Sequence, residues 1–299
     1  MQSSSELNLS EYTVVPRCDE KGDYPYHPNF SSPDGDVILA SKDCKLMFRT
    51  HTYILKTTSG FFRSMFSLPR PSSSDDAEVI YMNDDDTTLE HLLRMVSGLP
   101  LLPLDSCDML ERVLHAAEGY EMPGAISILR LAITTSPLAS ANPIHMYGIC
   151  ARYGWEDEAR LLSTRTLAHN LFDEKHRGSL ERLSSQALWR LFALHRSRRE
   201  YLRQRLDDSP FVSGKPALCA QCSGVIEYHT WRELKYKIIL EMDTRPLGDT
   251  VSHGLLDWPE AKACWRAGCP NPACGRLLYD KNETVRVIKE TMDKLSDTV

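Results

Sequence analysis

The sequence lacks the features that direct a chain to a membrane or to the secretory pathway. It contains no apolar run of the roughly 18 residues that a spanning helix needs. Its first residues, MQSSSELNLSEYTVV, have neither a basic flank nor an apolar core, so we expect no signal peptide. We therefore expect the nine cysteines to lie in a reducing compartment. There, metal ligation or burial of cysteines is favoured over disulfides. Cytosol or nucleus is the expected location.

The common catalytic signatures are missing as well. There is no phosphate-binding Gly-rich loop, no Gly-x-Ser-x-Gly elbow, no His-Glu-x-x-His and no kinase motif. The charge is only mildly one-sided, because 35 Lys and Arg stand against 41 Asp and Glu, a formal net charge of −6. This balance argues against binding of nucleic acid or anionic lipid by the whole chain. We therefore expect a protein that is not an enzyme and has no membrane partner.

What is present is a globular composition with room for more than one domain. The chain has 299 residues, of which 42% are hydrophobic. Residues 1–34 are rich in Ser, Pro, Asp and Tyr and predict a mostly disordered lead-in. Short strands and helices are expected over residues 35–136, a helical extension over 137–208, and a cysteine-containing helical module over 209–299.

Local patterns predict several elements. DVILAS and KLMFRT are typical of a hairpin, and EVIYMN of a third strand. HTYILKTTSGFFRSMFS predicts two short helices with a break near Ser59 and Gly60. Asp86 or Thr87 is the expected cap of the helix in TTLEHLLRMVSG. Leucines along SLERLSSQALWRLFALHRSRREYLRQRL predict one long amphipathic helix.

The first half of the chain resembles the BTB/POZ domain family. The resemblance covers about residues 30–135, from the hairpin through VIYMNDDDTTLEHLLRMVSG to the closing helical pair in MLERVLHAAEGYEMPGAISILRLAI. The matching positions in its opening part are Asp36, Val37, His51, Leu55, Ser59, Phe62 and Phe66. More narrowly, YGICARYGWEDEARLLSTRTL is similar to a segment of the BTB proteins of mushroom-forming (basidiomycete) fungi.

The resemblance implies an α+β fold, in which a small sheet is covered by helices. An all-α C-terminal extension with a zinc-type cysteine cluster is expected to follow. It also implies a protein–protein interaction adaptor. The expected partners are proteins, among them a second copy of the chain or a cullin-type scaffold, with recruitment to a ubiquitin ligase or a transcription complex.

Two pairs of cysteines predict a structural zinc site. Cys219 and Cys222 enclose two residues, and Cys269 and Cys274 enclose the stiff turn PNPA. Structural Zn²⁺ takes four soft ligands in a tetrahedron, usually delivered as two close pairs. The separation of the pairs exceeds the roughly 15–20 residues of ordinary zinc ribbons, so a helical segment would be closed by the ion. Cys264, His229 or His253 could replace one ligand, and simple burial of the cysteines is a further alternative.

Two other functions are weighed against the adaptor. CAQC could be a thiol-oxidoreductase motif, but it follows SGKPAL rather than the strand that precedes such motifs. A nucleic-acid-binding regulator could use the zinc module and an Arg-rich helix, although nucleic acid is not the expected partner and a solvated helix face is favoured. The arginines of this helix are Arg190, Arg196, Arg198, Arg199, Arg203 and Arg205.

Overall fold

A computed structural model describes residues 24–42, 44–68, 78–212 and 215–299. The chain divides into two compact units, residues 1–132 and 133–299. The predicted segments 137–208 and 209–299 both lie in the second unit. No helix in the described part of the chain is long and apolar enough to cross a membrane.

The first unit is a small sheet packed with helices. Its elements are β1 (Val37–Ala40), β2 (Met47–Thr50), α1 (Thr52–Thr58), α2 (Gly60–Met65), β3 (Glu78–Tyr81), α3 (Asp86–Val96), α4 (Cys107–Gly119) and α5 (Pro123–Thr135), of which α5 ends in the second unit. The strand order is β2-β1-β3, with β1 antiparallel to β2 and parallel to β3. All four residues of the central strand β1 are buried. The predicted hairpin, third strand and two short helices are confirmed.

The break between α1 and α2 is held by Ser59. Its Oγ accepts a hydrogen bond from the Phe62 N–H at 3.0 Å, which caps α2, and donates to the Tyr120 carbonyl at 2.6 Å. The Gly60 N–H donates to the Glu121 carbonyl at 3.0 Å. A Cβ at Gly60 would lie 2.1 Å from the Glu121 carboxylate and 3.0 Å from the Glu121 Cβ, so a larger residue would require the Glu121 side chain to move. The break therefore ties the first two helices to the turn after α4.

The helix α3 begins differently from the sequence expectation. Asp86 and Thr87 were the expected caps, but the side chain of Asp85 accepts the hydrogen bond from the Thr88 N–H at 2.8 Å. The Asp85 side chain also accepts from the Thr87 hydroxyl. Three consecutive aspartates, Asp84–Asp86, stand at the start of the helix, and any of them has the correct chemistry for an N-cap. An N-cap residue has an extended backbone. Asp85 is therefore the cap, because its backbone is extended, whereas Asp86 is already helical.

Residues 24–34, predicted as part of a disordered lead-in, make defined contacts, whereas residues 1–23 lie outside the described residues. The side chains of His27 and Phe30 are buried. The His27 ring stacks on Phe48 with a centroid distance of 5.1 Å, and its Nε2 lies 3.1 Å from a carboxylate oxygen of Glu90. The composition of this segment is polar, but two buried rings are enough to attach it to the core.

The second unit is mostly helical. Its elements are α6 (Leu138–Ala141), α7 (Pro143–Arg152), α8 (Glu156–Thr166), a 3₁₀ turn (Glu174–His176), α9 (Arg177–Glu181), α10 (Ser185–Arg205), β4 (Ala217–Leu218), β5 (Val225–Ile226), α11 (His229–Thr244), α12 (Asp249–Gly254), a 3₁₀ turn (Leu255–Asp257), α13 (Pro259–Arg266) and α14 (Lys281–Asp293).

Two sequence expectations for this unit are wrong. The leucine-rich stretch is not one long helix, because α9 ends at Glu181 and α10 starts three residues after Arg182, with the Ser184 hydroxyl accepting from the Ala187 N–H at 3.2 Å. Nor is the C-terminal part all-α, since β4 and β5 form an antiparallel hairpin. Strands of two residues give almost no alternating pattern that a sequence reading could detect.

A continuous hydrophobic core joins α10 to the C-terminal helices. Its buried members include Leu202, Trp231, Leu234, Ile238, Met242, Val251, Ile288 and Met292. Gly248 turns the chain beside this core with φ +77°. This backbone conformation favours glycine, and a Cβ there would lie 1.8 Å from the Met292 Cε and would displace the end of that side chain.

Arg198 is the buried cation of this unit. Its guanidinium donates to four backbone carbonyls, those of Pro246 at 2.8 Å, Leu247 at 3.1 Å, Leu295 at 3.3 Å and Ser296 at 2.6 Å. One side chain therefore joins α10 to the turn before α12 and to the segment after α14. We call this arrangement the Arg198 carbonyl site.

His195 makes the stability of the second unit depend on pH. Its ring is buried, its Nε2 lies 3.0 Å from the Thr166 hydroxyl, and burial with the nearby Arg198 and His169 lowers its pKa to about 4. Between pH 6.5 and 4 the unfolded chain binds a proton that the folded chain does not. The free energy of unfolding must therefore fall as the pH falls through this window, with a slope of up to about 1.4 kcal/mol per pH unit.

Urea denaturation at several pH values, compared between the native chain and His195→Gln, measures this contribution. We expect the native chain to lose more stability than the variant between pH 6.5 and 4. Parallel curves for the two proteins would contradict the assignment.

Candidate metal centre

The first cysteine pair lies at the tip of the β4–β5 hairpin. Cys219 and Cys222 lie in the connection between the two strands. The strand residues next to this connection, Leu218 and Val225, pair with each other. The Cys219 N–H donates to the Gly224 carbonyl and the Ser223 N–H donates to the Cys219 carbonyl, both at 2.8 Å. This tight turn, with Ser223 at φ +56°, points both thiols of the pair toward one location.

The second pair lies in a similar hairpin turn. Gly268 and Leu277 form an antiparallel bridge, and inside it the Cys269 N–H donates to the Arg276 carbonyl at 2.8 Å. The Cys274 N–H then donates to the Asn271 carbonyl at 3.0 Å. Two prolines within the turn limit its conformations. Both cysteine pairs are thus held by backbone hydrogen bonds rather than by side chains alone.

Helices α11, α12 and α13 connect the two turns and hold them together. Tyr279, which follows the second turn, packs against Tyr228 and Trp231 with ring centroids 6.0 and 6.2 Å away. Its hydroxyl lies 3.2 Å from the Thr230 hydroxyl at the start of α11. This contact holds the segment after the second turn against the start of α11, and the sequence reading missed it, although Tyr279 stands five positions after Cys274.

The four thiols meet at one point. The Sγ atoms of Cys219, Cys222, Cys269 and Cys274 all lie within 4.8 Å of one another, and in the described part of the chain they form the one such group of potential ligands. We call them the four-cysteine cluster. The sulfurs of Cys219 and Cys274 are 3.8 Å apart, and those of Cys222 and Cys269 are 3.5 Å apart. Because a disulfide bond is about 2.05 Å long, these are separate thiols.

The spacing fits a tetrahedral ion. Four sulfurs around Zn²⁺ at about 2.3 Å are separated from one another by about 3.8 Å. The two measured distances lie close to that value, and the cluster can bind a metal without rearrangement of its backbone. Cysteine thiolates favour soft or borderline metals such as zinc over magnesium or calcium.

Charge at the cluster also favours a cation. Backbone N–H groups of Gln221 and Cys222 lower the pKa of the Cys219 thiol to about 6. Asn271 donates a backbone hydrogen bond that lowers the pKa of Cys269, but desolvation and the neighbouring thiols raise that pKa to about 12. One thiolate therefore forms readily and opposes ionisation of the others. A bound cation would remove this repulsion, so metal binding should release protons.

The alternative ligands lie elsewhere. Cys264 is fully buried among core residues of α11 and α13, where burial raises the pKa of its thiol to about 12. The His253 Nδ1 lies 2.8 Å from the Asp249 carbonyl. Neither residue joins the group of potential ligands in the described chain, nor does His229. The described residues contain seven free cysteines, whereas Cys44 is disulfide-bonded. This disulfide differs from the expectation that cysteines in a reducing compartment bind a metal or are simply buried.

The Arg-rich helix α10 is largely engaged inside its own unit. Its contacts are Arg190 with Glu156, Arg199 with Glu200 and Asp243, Arg203 with Glu200, Arg205 with the carbonyls of Asp208 and Ser209, and Arg198 with its four carbonyls. Arg196 is exposed and has no hydrogen bond or ion pair among the residues that the structure describes. A phosphate backbone would have to compete with these carboxylates and carbonyls.

Comparison with known proteins assigns the first unit. Residues 31–136 match the sequence model of the BTB/POZ domain. This region is a BTB/POZ domain. Such domains are generally protein-interaction modules, and the sheet with its covering helices agrees with the fold implied by the sequence. No curated protein matches the chain. The narrower resemblance to the BTB proteins of mushroom-forming fungi stays a prediction.

Proposed function

We propose that the protein is a protein–protein interaction adaptor, in which the BTB/POZ domain recruits a protein partner. The observation that carries this proposal is the match of residues 31–136 to the BTB/POZ domain. The partners we propose are a cullin-type scaffold of a ubiquitin ligase, a transcription complex, or a second copy of the chain. Cytosol or nucleus is the proposed location, because such complexes assemble there.

We further propose that the four-cysteine cluster binds one structural Zn²⁺. The support is the near-tetrahedral spacing of four sulfurs and the chemistry of the donor set. A bound ion would connect the β4–β5 hairpin to the turn after α13, across the 47 positions that separate Cys222 from Cys269. Since such a site does not exist in the unfolded chain, its binding free energy would add to the stability of the second unit.

A structural role is preferred over a catalytic one. Four thiolates complete the coordination of Zn²⁺ and leave no position for a reactive water. A thiol-oxidoreductase role needs Cys219 and Cys222 to react as an isolated pair, whereas the sulfurs of Cys269 and Cys274 lie beside them in one group of four. A nucleic-acid-binding role is disfavoured by the internal pairing of the Arg-rich helix described above.

Chemical cross-linking tests the adaptor proposal. The BTB/POZ domain carries three exposed lysines, Lys42, Lys45 and Lys56, and the second unit carries others, among them Lys215 and Lys262. We expect the complex captured from the native host with the full chain, cross-linked with an amine-reactive reagent, to give partner cross-links mainly at the three lysines of the BTB/POZ domain.

The matched control is Lys56→Arg, which keeps the charge and removes one reactive amine. It should delete the cross-links at position 56 and leave partner capture unchanged. Partner cross-links confined to the second unit would refute recruitment through the BTB/POZ domain. The chemical identity of the cross-linked protein decides between a cullin-type scaffold, a transcription complex and self-association.

A further inference from the structure

The second unit contains an open groove with aromatic walls. One wall is a face of α10, where Trp189, Phe192 and Arg196 recur at helical spacing, and Phe172 lines the groove from the segment between α8 and α9. Met242 and Leu171, both buried, contribute to the lining. The groove has a volume of about 270 Å³, which suits one or two side chains of a ligand. We call it the aromatic groove.

Two aromatic rings of this groove are largely exposed. Phe172 is 82% exposed and Trp189 is 74% exposed. Two large aromatic side chains on neighbouring elements form an apolar patch of the kind that marks interaction sites on soluble proteins. Trp is also among the residues that most often dominate the binding energy of an interface.

The groove is preformed. The Phe172 N–H donates to the Asn170 side-chain carbonyl at 3.0 Å, which fixes the turn that presents the ring. The Phe172 and Phe192 rings pack against each other with centroids 5.5 Å apart, which attaches the Phe172 segment to α10. On the neighbouring turn of α10 the Arg198 carbonyl site holds the Pro246 backbone, and Pro246 also lines the groove. A ligand would therefore bind without ordering these walls first.

The charge at the rim favours a single carboxylate. Arg199 lines the groove but is paired with Asp243, which lines it too. Arg196 is the remaining arginine of the lining and has no partner within the described residues. One unpaired guanidinium beside an existing carboxylate suits one Asp or Glu side chain, whereas a chain of phosphates would meet repulsion from Asp243.

We propose that the aromatic groove binds a short linear segment of a partner protein. A large apolar side chain of that segment enters beside Trp189 and Phe172, and a carboxylate a few residues away pairs with Arg196. The proposal does not rest on recruitment by the BTB/POZ domain, because the groove lies entirely within the second unit. The aromatic groove would give the chain a second site for a protein ligand, separate from the BTB/POZ domain.

Selection of peptides from a random phage-displayed library on the full chain tests the groove. We expect the enriched peptides to combine a large apolar residue with a nearby Asp or Glu. Synthetic peptides of that consensus should bind Trp189→Ala at least about tenfold more weakly in a fluorescence anisotropy titration. The reversal Arg196→Glu should change the selected residue from acidic to basic, which a merely structural effect would not do.

Two exposed residues that do not line the groove supply the controls. Tyr236→Ala removes an aromatic side chain of α11 that is 64% exposed, and Arg266→Glu reverses an exposed charge on α13. Both should retain peptide affinity and consensus. Failure to enrich any peptide, equal binding by Trp189→Ala, or an acidic consensus that survives Arg196→Glu would overturn the proposal. Displacement of the peptide by single-stranded RNA would favour a nucleic-acid ligand instead. None of these outcomes affects the cross-linking test of the BTB/POZ domain.

Discussion

We expect Cys274→Ser to lose the proposed Zn²⁺ and to unfold the second unit at a lower temperature. Replacing one thiolate by a weakly coordinating hydroxyl breaks a coordination shell that folding and metal binding share. We expect the unfolding free energy to fall by at least about 3 kcal/mol, which for a unit of this size corresponds to roughly 6–12 °C in Tm. Elemental analysis and thermal denaturation of protein purified without added metal measure the two effects. Cys222→Ser should behave in the same way.

Two cysteines outside the cluster provide matched controls. Cys107→Ser, in the first unit, should keep both the metal and the stability of the native chain. Cys264→Ser places a hydroxyl in the core and should lose stability while keeping the metal, because the sulfur of Cys264 does not lie in the cluster. Full metal content in Cys274→Ser, or metal loss in Cys264→Ser, would show that the ligand set is wrong.

Arg198→Met should produce the second large effect. The substitution leaves the carbonyls of Pro246, Leu247, Leu295 and Ser296 without their buried donor. An unsatisfied buried polar group costs about 1–3 kcal/mol, so a total loss of at least about 3 kcal/mol is expected even if water reaches some of the four carbonyls. Urea denaturation measures the loss. Faster amide hydrogen exchange should appear in residues 247–249 and in the segment after α14.

Arg199, the residue after Arg198, supplies the control for this prediction. Arg199 has the same side chain on the same helix, but its partners are the carboxylates of Glu200 and Asp243 at the surface. Partly exposed ion pairs of this kind contribute about 0–1 kcal/mol. Arg199→Met should therefore change stability little. Equal losses for the two variants would contradict the role assigned to the Arg198 carbonyl site.

The different roles of Arg198 and Arg199 could not be predicted from the sequence. Both belong to the same Arg-rich stretch, which the sequence treats as one basic face. The structure buries the first against four carbonyls and pairs the second with acids, because neighbours on a helix point about 100° apart. Which of them faces the core depends on how α10 packs against α11 and α14, and that packing leaves no local pattern.

The cysteines were predictable for the opposite reason. Zinc chemistry restricts both the type of ligand and the spacing within each pair, so the sequence alone could indicate that Cys219 and Cys222 lie close to Cys269 and Cys274. The hairpins that present them were missed, since strands of two residues carry no periodicity. In the BTB/POZ domain the hairpin and the paired helices were predictable because their hydrophobic patterns are several residues long. The N-cap at Asp85 was not predictable, because it depends on the backbone conformation of a single residue.

X-ray absorption at the zinc edge of the purified full chain tests the central claim of a four-cysteine zinc site most directly. The account predicts about one zinc per chain and a first shell fitted by four sulfurs at about 2.3 Å, with no nitrogen or oxygen scatterer. A shell with a histidine nitrogen or water oxygen, or protein that neither contains nor binds zinc, would contradict it.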